Sequence, residues 1–243
     1  MPRFFIQKDC IIENEIIIKN DDAFHIARSL RMAVGDEIEV CDDEGVEYSC
    51  RLTYIRDELC RCEILESRKA VSEPSVKATL YMAYPKGDKL ETVIQKAVEL
   101  GVFKIVPFES SRCIKRPRED KIEKQTARLE RIAGEAAKQC RRGIVPEVTK
   151  PISYSEMLTD ATKSDLALLC YEAEDGKNIK NAISGQSFSS ISIIVGAEGG
   201  FSPEEARAAT EAGCISVSLG PRILRCETAP LYALSALSYE LEL

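Results

Sequence analysis

Apolar residues change their spacing along the chain near residue 70, and the change predicts two kinds of structure. Before it, apolar and polar residues alternate in short runs: Glu15-Ile16-Ile17-Ile18, Glu37-Ile38-Glu39-Val40, Glu47-Tyr48-Ser49-Cys50-Arg51-Leu52 and Cys60-Arg61-Cys62-Glu63-Ile64-Leu65. Turn residues such as Gly35-Asp36 and Asp43-Glu44-Gly45 separate them. A period of two marks half-buried strands, and short strands at this spacing predict a small barrel. Ala23 to Met32 interrupts them with helical periodicity, placing Phe24, Ala27 and Leu30 or Arg31 on neighbouring turns. The apolar pattern lapses from Ser67 to Ser75 around Pro74. A boundary is expected there, with one domain over 1–70 and a second over 75–243.

Beyond the boundary, strand and helix patterns alternate. Ala78 to Tyr84 reads as a buried strand. Asp88 with Glu91 forms a capping-box pattern for a helix that runs to Leu100 and stops at Gly101. Lys104 to Phe108 is a strand, and Glu119 to Cys140 a long amphipathic helix with Ile122, Leu129, Ile132, Ala133 and Ala136 on one side. Leu166 to Leu169 and Ile191 to Val195 are apolar throughout, as central parallel strands are. Ser202-Pro203-Glu204-Glu205 opens another helix, closed at Gly213. Ile215 to Leu219 is a strand and Ala229 to Leu241 a terminal helix. This order predicts an α/β domain with a mostly parallel sheet, and no internal repeat accompanies it.

Composition narrows the class. With 44% hydrophobic residues the chain can build a full core. No stretch approaches the roughly 18 uninterrupted apolar residues of a membrane helix, and the N-terminal residues lack the apolar run of a signal peptide, so a cytoplasmic protein is expected. The ten cysteines include no Cys-x-x-Cys, and His25 is the sole histidine. They read as reduced, mostly buried small hydrophobes, with no metal site. The net charge is −7, yet from Arg112 to Lys150 twelve Lys or Arg face only six Asp or Glu. Such asymmetry fits one basic face, or else a solvated helix with paired charges.

Two segments are candidates for chemistry, each between a strand and a helix. The first is Val195-Gly196-Ala197-Glu198-Gly199-Gly200-Phe201, and the second runs from Leu219-Gly220-Pro221-Arg222 through Ile223-Leu224-Arg225-Cys226-Glu227-Thr228. The carboxyl ends of parallel strands are where α/β sheets bind ligands. The glycine spacing is not that of a dinucleotide fingerprint, and no Gly-Lys-Ser/Thr follows, which excludes a P-loop. Glycine alone leaves the two segments readable as tight turns.

These segments resemble the signature of the small-subunit ribosomal RNA uracil-N3 methyltransferases, a family of the SPOUT superfamily of knotted methyltransferases. His25 to Met32 with Gly35-Asp36, Gly87 to Leu90 through Ile94 to Val102, Ser111-Arg112-Cys113, and Gln139 to Arg142 before Val145-Pro146-Glu147 resemble the same family in the same order. The resemblance implies a PUA-like β-barrel RNA-binding domain, then an α/β domain whose last segments thread a trefoil knot, against the usual rule of unknotted chains. It implies S-adenosylmethionine bound by the loops after Leu169, Val195 and Leu219. Leu169, Val195, Gly196, Glu198, Gly199, Leu219, Gly220, Ile223 and Leu224 are the expected lining. It implies a homodimer acting on a uridine in the decoding region of 16S ribosomal RNA, in the assembled small subunit. Ala197, Cys226, Arg141 and Ile144 depart from the family's usual residues.

Methyl transfer to uracil N3 requires loss of a proton, leaving negative charge on O2 and O4. A guanidinium would stabilise that charge, with Arg225 the first candidate and Arg222 the second. The competing role for Arg225 is a salt bridge to Glu227 or a neighbouring carboxylate. Glu198, another side chain or water would accept the proton. Arg28, Arg31, Arg112 and Arg142 are candidates for RNA phosphate contact, with pairing to the acidic barrel as the alternative for Arg28 and Arg31. Three other functions compete: a related methyltransferase acting on transfer RNA or another ribosomal position, a non-catalytic RNA-binding module, and a nicotinamide-dependent oxidoreductase.

Overall fold

The computed structural model describes residues 1–114, 116 and 119–242. The chain divides into two compact units, Met1–Glu73 with Ala137–Val145, and Pro74–Ala136 with Pro146–Leu243.

The first unit is a six-stranded sheet. Its elements are β1 (Arg3–Phe5), β2 (Ile11–Ile12), β3 (Glu15–Lys19), α1 (Asn20–Phe24), β4 (Glu37–Cys41), β5 (Val46–Ile55) and β6 (Leu59–Lys69). The strand order is β1-β4-β5-β6-β3-β2, antiparallel except that β1 runs parallel to β4. Register shifts between Ser49 and Cys50 and between Leu52 and Tyr54 mark bulges, which bend long strands. Alternation places Ile16, Ile18, Ile38, Val40, Cys50, Leu52, Cys60 and Cys62 in one buried core.

Three features of this unit differ from expectation. The 23–32 helix begins earlier, at Asn20, and widens into a π-helical turn over His25–Ser29, closed by the Leu30 N–H on the His25 carbonyl at 2.9 Å. The wider turn shifts the helical phase, so Ala23 and Ile26 are buried while Phe24 and Leu30 face solvent. Strand β1 goes unread in the sequence because it is short and carries a buried arginine. Arg3 donates to Glu39 at 3.1 Å, to Glu47, and to the carbonyls of Arg141 and Arg142 at 3.0 and 2.9 Å. Finally, Ala137–Val145 belongs to this unit although the sequence reading assigns it to the second domain. Besides Arg3, Lys138 pairs with Asp22 at 2.7 Å, and Arg142 forks onto Glu73 at 2.9 and 2.7 Å.

The second unit is α/β. It contains β7 (Lys77–Ala83), α2 (Lys89–Glu99), β8 (Lys104–Glu109), α3 (Ile122–Cys140, counted here to Ala136), β9 (Glu147–Val148), β10 (Ile152–Ser153), α4 (Tyr154–Ala161), β11 (Leu166–Cys170), α5 (Ile179–Ile183), β12 (Ser190–Val195), α6 (Pro203–Glu211), β13 (Ile215–Val217) and α7 (Ala229–Glu242). The strand order is β10-β8-β7-β12-β11-β13, with β9 also on β8, and every pairing is parallel. Leu80, Met82, Ile105, Phe108, Leu168, Ile193 and Ile194 are fully buried, as a parallel sheet covered on both faces requires. Helix α6 starts with the predicted box: Ser202 accepts the Glu205 N–H at 3.2 Å and Glu205 accepts the Ser202 N–H at 2.9 Å. Asp88 does not repeat it. Its side chain makes no cap bond, and Glu91 turns instead to Arg128 at 2.8 Å.

Candidate active site

Strands β12, β11 and β13 end side by side: Cys170 pairs with Val195 on one flank and Val217 on the other. The loops that follow them therefore leave from one edge of the sheet. Leu169 and Val195 lie buried in the strands themselves and form the floor of that edge.

The loop after β12 is anchored from beneath. Phe201 is buried and stacks on Phe108, with ring centroids 6.4 Å apart and planes at 4°, while Tyr154 tilts against both rings. Glu205 accepts the Ser111 N–H at 2.7 Å, and Tyr154 donates to the Glu205 carbonyl at 2.7 Å. Above this support the chain turns back on itself. A Cβ at Gly196 would lie 3.1 Å from the backbone of Gly200, so the close approach needs glycine. Gly200 has φ +60°, and its α-carbon faces the Glu172 carboxylate from the loop after β11. Arg112 donates to the Gly199 carbonyl at 2.9 Å, so this arginine, expected to contact RNA, also braces the glycine loop.

The loop after β13 crosses the sheet edge. In the strand order β12 and β11 lie between β7 and β13, yet Cys226 and Glu227 reach Lys89, the first residue of the helix that follows β7. The Lys89 ammonium lies 3.0 Å from Glu198, 3.2 Å from Glu227 and 3.6 Å from the Cys226 sulfur. These contacts bring the loop after β13 to the head of α2, on the far side of β11 and β12 in the strand order.

The ion pairs set the charge states. Burial would raise the Glu198 carboxyl, but the Lys89 ammonium and the Lys86 N–H (3.1 Å) hold it below its ordinary value. Glu198 is thus ionised and committed to Lys89, a poor arrangement for a proton acceptor, the role for which it was one of three candidates. Glu227 is also lowered, by its own backbone N–H first and then by the Cys226 thiol and Lys89. The Cys226 thiol is pushed up to about 11 by burial and by Glu227. Glu227 is occupied by Lys89 rather than Arg225. Among the described residues neither Arg222 nor Arg225 has an ion-pair partner, and both are exposed. The Arg225 carbonyl accepts the Thr228 and Ala229 N–H groups at 2.8 and 2.9 Å, which fixes its backbone while its side chain stays open.

The expected RNA contacts Arg28, Arg31 and Arg142 belong to the first unit and Arg112 to the second. Arg28 is exposed but forks onto Asp57 at 2.6 and 2.8 Å, the alternative pairing foreseen for it. Arg31 is exposed with φ +53°. Arg142 is buried, 3% exposed, and held by Glu73, which corrects its reading as a phosphate contact. Sequence reasoning missed Lys89 and Glu172. The signal for Lys89 was present in Gly87-Asp88-Lys89-Leu90, where a cation opens a helix against the dipole.

Comparison with known proteins decides the family. A family described as "RNA methyltransferase domain" matches residues 72–238, and "RNA methyltransferase PUA domain" matches residues 18–70. The chain belongs to the RNA methyltransferase family. Ribosomal RNA small subunit methyltransferase E from Bacillus subtilis is 36% identical across 100% of this chain and 98% of its own. The enzyme of that name from Mesomycoplasma hyopneumoniae is 34% identical over 97% of this chain and 98% of its own. Among solved structures, ribosomal RNA small subunit methyltransferase E from Neisseria gonorrhoeae, bound to S-adenosyl methionine, superposes with a TM-score of 0.87 at 32% identity, covering 99% of this chain and 98% of that one. The two family matches meet at residues 70–72, and α/β architecture behind a PUA-like β domain is the fold of this RNA methyltransferase family.

Proposed function

We propose that this chain is an S-adenosylmethionine-dependent methyltransferase that methylates N3 of a uridine in the decoding region of 16S ribosomal RNA. The observation that carries the reading is the meeting of three loops on adjacent parallel strand ends, with the loops after β12 and β13 both held by Lys89. Its support is the full-length likeness to enzymes named for small-subunit ribosomal RNA.

The residues fit the cofactor. An adenosyl group needs an apolar slot with main-chain donors and acceptors at its rim. Gly196, Glu198 and Gly199 offer main chain from the loop after β12. Leu219, Gly220, Ile223 and Leu224 offer it from the loop after β13, where Ile223 is 89% exposed, an apolar side chain without cover. Leu169 and Val195 close the floor. The cofactor supplies an electrophilic methyl group. The protein's part is to align that methyl with the uracil nitrogen and exclude water. Arg225, unpaired and on a backbone fixed by two hydrogen bonds, stabilises negative charge on uracil O2 or O4, with Arg222 as a second cation. With Glu198 tied to Lys89, water rather than Glu198 takes the N3 proton.

Arg31 and Arg112 contact RNA phosphates, and Arg28 joins them by exchanging Asp57 for a phosphate. The protein acts in the cytoplasm as a homodimer on the assembled subunit, as the family likeness implies. Among the described residues no helix is long and apolar enough to cross a membrane.

The test is Arg225→Ala under single-turnover conditions with small subunits lacking the methyl group. Transfer should fall about a hundredfold while S-adenosylmethionine still binds, the scale expected for one lost charge-stabilising donor. Equal rates in variant and wild type would exclude the role. Mass mapping of 16S ribosomal RNA from cells lacking the gene should show one uridine without its methyl.

A further inference from the structure

Lysine at the first residue of a helix is misplaced electrostatically, because the helix N-terminus already carries partial positive charge. Lys89 holds that position in α2. Its ammonium has three donors, and three acceptors surround it: Glu198 at 3.0 Å, Glu227 at 3.2 Å and the Cys226 sulfur at 3.6 Å. Glu198 belongs to the loop after β12; Cys226 and Glu227 belong to the loop after β13. Each loop on its own leaves its carboxylate near the other with no neutralising charge between them.

We propose that Lys89 is a positioning residue that joins these two loops and fixes the gap between them in which the methyl donor sits. The inference rests on the reading above that the loops bind that donor. It assigns Lys89 no contact with the reacting atoms, because its three donors are already used inside the protein. Other groups near it do not compete for the role. Glu91 on its own helix is taken by Arg128 at 2.8 Å, and Glu198 also accepts its own backbone N–H and the Lys86 N–H, the latter at 3.1 Å, neither of which carries a full charge. Asp88 precedes it and makes no side-chain cap. Removing the ammonium would leave two carboxylates within one lysine's reach. Like charges that close repel, which parts the loops or forces one carboxylate to take a proton.

Calorimetry with S-adenosylmethionine on the full chain tests this, together with hydrogen exchange of the donor-free protein. Lys89→Met should bind the donor about tenfold more weakly at pH 8, on the scale of a partly exposed ion pair coupled to a site. Affinity should recover as the pH falls to about 5.5, where the unpaired carboxylates share a proton. The double variant Lys89→Met/Glu227→Gln should regain much of the loss at pH 8, and Lys89→Arg should lose less than Lys89→Met. In turnover the loss should fall on KM for the donor more than on kcat. Exchange should quicken in the segments around 197–200 and 220–228 of Lys89→Met, with the strands of the first unit unchanged. Wild-type affinity in Lys89→Met, or a double variant no better than the single, would overturn the bridge. A wild type that binds no donor would overturn the cofactor reading instead, and the exchange measurement would then decide the bridge alone.

Discussion

Replacing Arg142 with methionine separates two roles that a sequence assigns equally well to a basic residue. Methionine keeps most of the aliphatic length and removes the charge. In the structure that charge is 3% exposed and forks onto Glu73, Nε at 2.9 Å and Nη2 at 2.7 Å. Breaking a buried pair by removing one partner costs about 3–5 kcal/mol. Two details reduce the figure here. Glu73 keeps 22% side-chain exposure, and it still accepts the Gly143 N–H at 2.7 Å. Arg142→Met should therefore destabilise the first unit by about 2–3 kcal/mol. Urea titration of the full chain, followed by hydrogen exchange of amides in β4, β5 and β6, reads that unit alone. Glu73→Gln and the double variant complete a cycle whose coupling should be about 2 kcal/mol. A loss below about 0.5 kcal/mol, paired with weaker and less salt-dependent RNA binding, would refute the structural role and restore Arg142 as a phosphate contact.

Other substitutions probe the second unit. Gly200→Ala forces an L-residue to φ +60° and its methyl onto the Glu172 carboxylate, which can swing away. The backbone cost should remain, about 1–2 kcal/mol, with weaker donor binding, and an unchanged melting temperature would refute it. Asp165 accepts the Ser189 and Ser190 N–H groups at 2.9 and 3.0 Å and both hydroxyls at 2.8 and 3.0 Å, which hold its carboxyl down to about 2. A lowered carboxyl stabilises the fold above its ordinary value of 3.8, and that contribution disappears as the pH falls toward 2. Asp165→Asn should flatten the fall of stability across that window, and the wild-type slope in the variant would rule the idea out.

What the sequence made legible was local. Buried strands at 166–170 and 190–195 announced themselves by unbroken apolar runs, and Ser202 with Glu205 by a capping pattern whose two bonds both form. The same pattern at Asp88 and Glu91 does not close, because Arg128, distant in sequence, claims the glutamate. Arg3 and Arg142 illustrate the general difficulty. Both look like surface cations, and both are buried by partners 36 to 139 residues away. The glycine loop was found from its composition and position. The state of Glu198 was not, since its charge is decided by Lys89, 109 residues earlier. Helix α4 carries a Ser153-x-x-Glu156 box that forms in full, yet its eight residues are too few to display helical periodicity.

The return of the loop after β13 to the head of α2 has a bearing on synthesis. Every residue of the first unit has been made once Val145 is joined, whereas the loop after β13 reaches Lys89 only with Glu227. A nascent chain emerging from the ribosome thus presents its β domain some eighty residues before the proposed donor loops can be joined at Lys89. On the proposed reading, partly made copies have no chemistry with which to mark ribosomal RNA.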